Sequence, residues 1–164
     1  VAVSSIGYLG EQVENEQNTL EAVRVMRSNY EGPASIFSEL ANKFEERKSG
    51  TLIGISSVAG ARGRGSNYFY GSAKSGFTSF LSGLRNRLTK SKVNVITVLP
   101  GYVDTKMTKA LKLPKILTIS ADALAESVFK AVGRDKDFVI SKRWLLIITI
   151  LQFIPEKIFK RLSL

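Results

Sequence analysis

The chain has 164 residues, with 24 Lys and Arg against 14 Asp and Glu, a formal charge of +10 and 44% hydrophobic residues, a balance that suits one globular domain with a substantial core. It contains no Cys and no His, which excludes a disulfide scaffold, thiolate or imidazole metal sites, and any triad built on an imidazole base. No metal centre is therefore expected, and chemistry is left to Tyr, Lys, Ser, Asn and carboxylates.

Strands are expected over 1–5, 51–56, 93–99 and 137–141, short runs rich in Val and Ile that read as buried parallel strands. Helices are expected over 19–29, 33–47, 69–90 and 121–132. In the third, Ala73, Phe77, Phe80, Leu81, Leu84 and Leu88 recur at helical spacing and make one apolar face. Gly50 and Gly133 stand where helices should stop, Pro33 suits a first turn, and Ser120 suits an N-cap. Strand and helix in alternation imply right-handed crossovers and an α/β fold, a parallel sheet with helices on both faces.

The basic charge is local: residues 47–115 hold thirteen Lys and Arg against one acid, Asp104, whereas the first twenty residues carry acids and no base. No zinc finger, RNA-recognition signature or recognition-helix pattern accompanies it, so no nucleic acid partner is expected. No linker is evident before residue 142, and the expected division is 1–142 as the folded unit and 143–164 as a tail. The tail opens with WLLIITILQFI over 144–154, about half the apolar length a membrane-spanning helix needs. Two readings stay open for it: a core or oligomer-interface segment, and an interfacial membrane anchor whose Lys142, Arg143, Lys157, Lys160 and Arg161 meet anionic headgroups.

The chemistry concentrates in Tyr70-Gly71-Ser72-Ala73-Lys74, with Ser57 thirteen residues upstream in ISSVAG. A Tyr and a Lys four apart on a helix share a face, and a close ammonium favours the ionised phenol, lowering its pKa toward the range useful to a general acid or base. Ser57 would add a hydroxyl donor at a substrate oxygen. The spacing alone is common in a Lys-rich chain. It gains meaning from its company: ISSVAG ends an expected strand, the Tyr helix follows, and Leu99-Pro100-Gly101-Tyr102-Val103-Asp104-Thr105 ends the next strand.

With these residues in order, the chain resembles the C-terminal two thirds of a short-chain dehydrogenase/reductase from Val1 to its end. The resemblance implies a Rossmann-like doubly wound parallel sheet, strands 4 to 7 of the family fold with flanking helices. It also implies an Asn, Ser, Tyr, Lys tetrad at Asn29 (in RSNYEGP), Ser57, Tyr70 and Lys74, the thirteen-residue gap selecting Ser57 over Ser56. The implied reaction moves hydride between C4 of a nicotinamide, NAD(P)(H), and a carbonyl or carbinol carbon. In it Tyr70 protonates the developing alkoxide, and Lys74 lowers the Tyr pKa and holds the ribose hydroxyls. Ser57 polarises the substrate oxygen, and Asn29 holds a relay water. Pro100, Gly101, Val103 and Thr105 would pack on the nicotinamide. Gly7 keeps the backbone approach beside the adenosine half, although Ser4-Ser5-Ile6-Gly7 stands where most members have Asn-Asn-Ala-Gly.

No Gly-x-Gly-x-x-Gly or Gly-x-x-x-Gly-x-Gly run occurs, and the chain opens inside a strand with Val1, so it is expected to be N-terminally truncated, to bind cofactor weakly by itself, and to leave NAD and NADP undistinguished. SSVAGARGRGSNYFYGSAKSG, GLRNRL, PGYVDTKMT and IPEKIFKRL further resemble the bacterial subgroup of decaprenylphosphoryl 2-keto-erythro-pentose reductase, implying a lipid-linked sugar ketone. The expected setting is cytoplasmic, at the inner face of the membrane, with homo-oligomers when full length. The competing expectation is a noncatalytic membrane-associated or oligomerising module.

Overall fold

A computed structural model of the chain describes residues 1–109, 111–134 and 136–162. Four parallel strands form the main sheet in the order β1 (Ala2–Ser4), β2 (Gly50–Ile55), β3 (Val93–Val98) and β6 (Phe138–Val139). The central pair is the longest, running in register from Gly50↔Val93 to Ile55↔Val98, while β6 joins only through Thr97↔Phe138 and Val98↔Val139. This is the α/β doubly wound arrangement the alternation implied, present in part. A second, two-stranded parallel sheet, β4 (Tyr102–Asp104) with β5 (Thr118–Ser120), was not anticipated from hydropathy because each strand is only three residues long.

The helices are α1 (Gln12–Gln17), α2 (Thr19–Met26), α3 (Gly32–Arg47), α4 (Tyr68–Leu88), α5 (Ala121–Val132), α6 (Lys142–Phe153) and α7 (Glu156–Phe159). Caps explain several starts: Asn18 Oδ1 accepts from Leu20 N at 3.1 Å, and Ser120 Oγ from Ala123 N at 3.1 Å, as its position suggested. Sequence reading placed separate helices over 19–29 and 33–47, whereas the backbone runs through a π-helical turn, Arg27–Glu31, directly into α3. The reason lies in Pro33: it lacks an N–H and would strike a carbonyl one α-turn back, and a widened turn relieves both problems without ending the helix. Gly50 is not the stop of α3. Lys48 takes the left-handed cap at φ 54°, and Gly50 opens β2 at φ 135°, where a Cβ would lie 2.7 Å from the Phe44 ring. The strand expected over 137–141 shrinks to two residues because Ser141 is committed to capping α6, its Oγ accepting from Trp144 N at 3.3 Å.

Alternation along the strands splits the core in two. On one face Leu52, Val93 and Val95 pack against Phe37, Ala41 and Phe44 of α3 and Phe77, Leu81, Leu84 and Leu88 of α4. On the other, Ile53, Ile96 and Val98 meet Ala131 of α5, with Leu124, Val128 and Val132 around it. The second face is incompletely covered at β1, where Val1 and Val3 are exposed. Both layers leave the C-terminal ends of β1, β2 and β3 open together, and the candidate site lies there.

Candidate active site

Ser57 follows the end of β2 and caps a short 3-10 turn, Val58–Ala61, by accepting from Ala59 N at 3.1 Å. Val58 N donates to Pro100 O at 3.1 Å, tying the loop after β2 to the loop after β3. The turn then lies directly on α4: a Cβ on Gly60 would come 2.6 Å from Ser75 N and 2.9 Å from Lys74 C. Ser56 points the other way and is consumed by structure. Its hydroxyl donates to Lys74 O at 2.8 Å and shares a 2.7 Å hydrogen bond with Thr78 Oγ1. Of the two serines, Ser57 alone lines the clefts on both sides of Tyr70.

Tyr70 and Lys74 lie one turn apart on α4. The Lys74 ammonium is buried and stands 5.8 Å from the centre of the Tyr70 ring. It donates to Ile55 O at 3.1 Å and to Ile6 O at 3.4 Å, so the same side chain fastens the ends of β1 and β2. Burial pulls the Lys74 pKa down to about 8. The phenol departs from expectation: burial raises the Tyr70 pKa, the Ser57 hydroxyl only partly offsetting it. The physical reason is that desolvation penalises the phenolate, while the ammonium is spent on two carbonyls rather than on the phenol oxygen. A phenol that keeps its proton is suited to giving one.

Asn29 sits in the π-helical turn, fully buried. Its amide donates to Tyr8 O at 2.6 Å and Val25 O at 2.8 Å and accepts from Tyr8 N at 3.3 Å. Thus Asn29 holds the segment after β1, and through it Gly7: a Cβ there would lie 3.1 Å from Asn29 Oδ1 and 3.4 Å from Lys74 Nζ. Asn29, Lys74 and Gly7 therefore converge, and a side chain at Gly7 would have to push the Asn29 amide aside by a few tenths of an ångström.

Two clefts share the wall formed by Ser57 and Tyr70. One, of about 890 Å³, is lined by Gly7, Lys74, Pro100, Gly101, Val103 and Thr105, with Val3, Ile53 and Ile55 of the sheet opposite Leu124 and Val128 of α5. The other, of about 590 Å³, runs past Asn15, Arg64, Asn67, Tyr102, Lys112 and Trp144. Every residue singled out in the sequence except Asn29 borders the first cleft, and Asn29 touches its rim through Gly7. Thr105 borders it but is also engaged locally, its backbone N–H donating to Thr108 Oγ1 at 3.2 Å in a reciprocal cap.

Two residues shape the site from a distance and escaped sequence reading. Trp144 of α6 packs directly against Gly101, where a Cβ would collide with the five-membered ring of the indole, and its Nε1 donates to Leu117 O at 3.2 Å. Tyr102 packs edge-on against the same indole. Arg62, at the end of the Ser57 turn, donates to Leu151 O and Ile154 O at the end of α6 and to the Glu156 carboxylate, and covers the Phe159 ring at 3.7 Å. The apolar run of 144–154 was the available signal for Trp144. For Arg62 there was none, since its partners lie about ninety residues away.

A phenol and a serine hydroxyl thus stand together at the C-terminal ends of parallel strands, on the wall between two clefts, which is where folds of this kind bind ligands. The chain belongs to the short chain dehydrogenase family, whose model matches residues 2–115. It is 32% identical over 98% of its length to an uncharacterized oxidoreductase of Mycobacterium tuberculosis and 31% identical over 95% to one of Streptomyces coelicolor. It spans 65% and 62% of those relatives' lengths. Among solved structures it matches a Burkholderia cenocepacia short chain dehydrogenase crystallised with NADP, at a TM-score of 0.83 and 22% identity, covering 99% of this chain and 68% of that one. It also matches the bulky-bulky ketone specific alcohol dehydrogenase of Comamonas testosteroni, at a TM-score of 0.73 and 20% identity, covering 94% and 63%. These likenesses concern the fold.

Proposed function

We propose that the chain is the catalytic part, over 1–142, of an NAD(P)(H)-dependent carbonyl reductase or alcohol dehydrogenase, with 143–164 as its tail. The observation that carries this is the meeting of two clefts at Ser57 and Tyr70. A flat cofactor ring on the Gly7, Pro100, Gly101, Val103 and Thr105 side and a carbonyl on the Asn15 and Asn67 side would face each other across two hydroxyls. Gly7 lies on the wall of the first cleft without a side chain, so a group can be laid against its backbone there. When bound, the nicotinamide supplies the hydride. The chain's own residues do the rest. Ser57 donates to the substrate oxygen and fixes its distance from Tyr70, and Tyr70 gives that oxygen its proton as negative charge develops. Lys74, with a pKa of about 8, is mainly an ammonium at pH 7 and offers its remaining N–H to ribose hydroxyls. Asn29 holds the segment that carries Gly7 and orders a relay water behind Lys74.

The working substrate is a ketone or secondary alcohol, and its finer identity is read as a lipid-linked sugar ketone of the decaprenylphosphoryl 2-keto-erythro-pentose type. Support comes from Arg64, Lys112, Asn15 and Asn67 on the wall of the second cleft, cations and amides that can meet a phosphate and hydroxyls, beside Leu9, Val13, Leu111 and Leu113, which can take a lipid chain. Within a full-length protein the unit works as a homo-oligomer on the cytoplasmic side, its tail meeting the inner face of the membrane. The test restores a family strand-turn-helix unit upstream of residue 1 and follows NADH and NADPH oxidation with a ketone panel. Tyr70→Phe should lower kcat by about 10²–10⁴-fold with the fold intact by circular dichroism; undiminished turnover would overturn the assignment.

A further inference from the structure

The tail is amphipathic in an unusual direction. Trp144, Ile147, Ile148 and Leu151 turn inward or are half-buried, yet the outer face of α6 is also apolar: Leu146 is 62% exposed, Ile150 54% and Phe153 83%. Leu145 flanks this ridge at 50% beside the exposed Gln152, and the Thr149 hydroxyl on the ridge is turned back to donate to Leu145 O at 2.8 Å. Spacing of four and three residues places Lys142, Leu146, Ile150 and Phe153 on one stripe. Beyond Pro155, Ile158 of α7 is 55% exposed as well, with exposed Lys157, Lys160 and Arg161 around it in the chain.

Charge decides between occupants. From 142 to 162 there are five basic residues and one acid, Glu156, and that acid is neutralised by Arg62 at 2.8 Å. Cations therefore bracket the apolar ridge at both ends, Lys142 and Arg143 before it, Lys157, Lys160 and Arg161 after it. A second copy of the same surface would set these cations against each other across a two-fold axis, whereas anionic headgroups above an acyl layer complement both parts. Rigidity supports the same occupant. Arg62 holds the end of α6 and the Phe159 ring, and Trp144 is wedged on Gly101, so the ridge cannot fold inward to hide itself. No helix among the described residues is long and apolar enough to cross a membrane, and α6 at twelve residues is about 18 Å long.

We infer that the outer face of α6 together with α7 is an in-plane docking surface for an anionic lipid bilayer, with Leu146, Ile150 and Phe153 entering the acyl boundary and the five cations meeting headgroups. This rests on the membrane-side location proposed above and deepens it by naming the face and the lipid chemistry. Because Arg62 joins that face to the turn carrying Ser57, docking would set the substrate cleft at a fixed height above the bilayer.

The test is flotation of the 164-residue chain with phosphatidylcholine vesicles, with or without about a third phosphatidylglycerol. It needs neither substrate nor cofactor, so its failure leaves carbonyl reduction standing, and a failure of the Tyr70 test leaves docking standing. Binding should require the anionic lipid and fall steeply in 0.5 M salt, roughly tenfold or more. Leu146→Glu with Phe153→Glu, both on exposed side chains, should abolish it while the circular dichroism spectrum is kept. Lys157→Glu with Lys160→Glu should weaken it roughly tenfold or more, whereas Lys43→Glu with Lys90→Glu, the same charge change on exposed residues elsewhere, should leave it within about twofold. Equal loss from both charge pairs, equal binding to neutral vesicles, or a dimer in light scattering that the Leu146 and Phe153 changes dissolve would each overturn the inference.

Discussion

The two faces of the sheet differ in how they are closed. Beneath α3 and α4, Phe37, Phe77, Leu81 and Leu88 are sealed against Leu52 and Val95, each exposed by no more than a few per cent. Beneath α5 the layer is thinner: Ile53, Ile96 and Val98 are buried, but Val3 is 56% exposed and Phe129 81%, and the larger cleft opens between them. Apolar burial scales with the area removed from water, so the first face supplies most of the stability and the second leaves room for a ligand. The lesson is a division of labour within one sheet. Tyr70 and Lys74 are built on the helix of the sealed face and reach round the strand ends into the open one.

That contrast can be broken by measurement. The largest effect expected is for Phe77→Ala, about 3–5 kcal/mol lost in urea unfolding; Val3→Ala on the open face should cost less than about 0.5 kcal/mol. Similar losses at the two positions would end the distinction. Next comes Gly60→Ala, where the added Cβ meets the α4 backbone at Ser75 and Lys74, which cannot rotate away. About 1–3 kcal/mol should be lost, and the chemical shifts of Ser57 and Tyr70 should move with it.

Lys74 gives a pH signature across the junction of the faces. Its folded pKa of about 8 lies below the ordinary 10.5, so the unfolded chain binds more protons between those values and the wild type gains stability as pH rises through the window. Against Lys74→Met, the wild type should gain up to about 1.4 kcal/mol per pH unit from pH 8 to 10.5, read from denaturation midpoints. A flat difference would mean that the ammonium is not buried. The smallest effect expected is on cofactor: the isolated chain should change NADPH fluorescence little below about 100 µM, whereas micromolar binding would mean that the open face is already a complete site.

Much of the site was legible before the fold. Tyr70 and Lys74 share a helix face by their spacing, and the thirteen-residue gap implied by the family resemblance picked Ser57 over Ser56. Other parts could not be read. At the strand end the Ser56 hydroxyl donates to Lys74 O at 2.8 Å, a contact across 18 residues that no local pattern encodes. The raised pKa of Tyr70 reversed the expectation from its neighbour because burial penalises the phenolate, while the Lys74 ammonium is drawn to Ile55 O and Ile6 O, contacts 19 and 68 residues apart in sequence. The π-helical turn that seats Asn29 left no mark in hydropathy, although Pro33 stood next to it.

By itself the sequence determined the strand and helix alternation, the apolar face of α4, the tetrad spacing and the amphipathic composition of the tail, because each depends on residues within a few turns of one another. Only the tertiary structure decided that Trp144 seats the Pro100-Gly101 turn, that Arg62 locks the tail to the Ser57 loop, and that the outer ridge of α6 stays in solvent. Those contacts join segments 43 to 94 residues apart, and no local pattern encodes a partner at that distance.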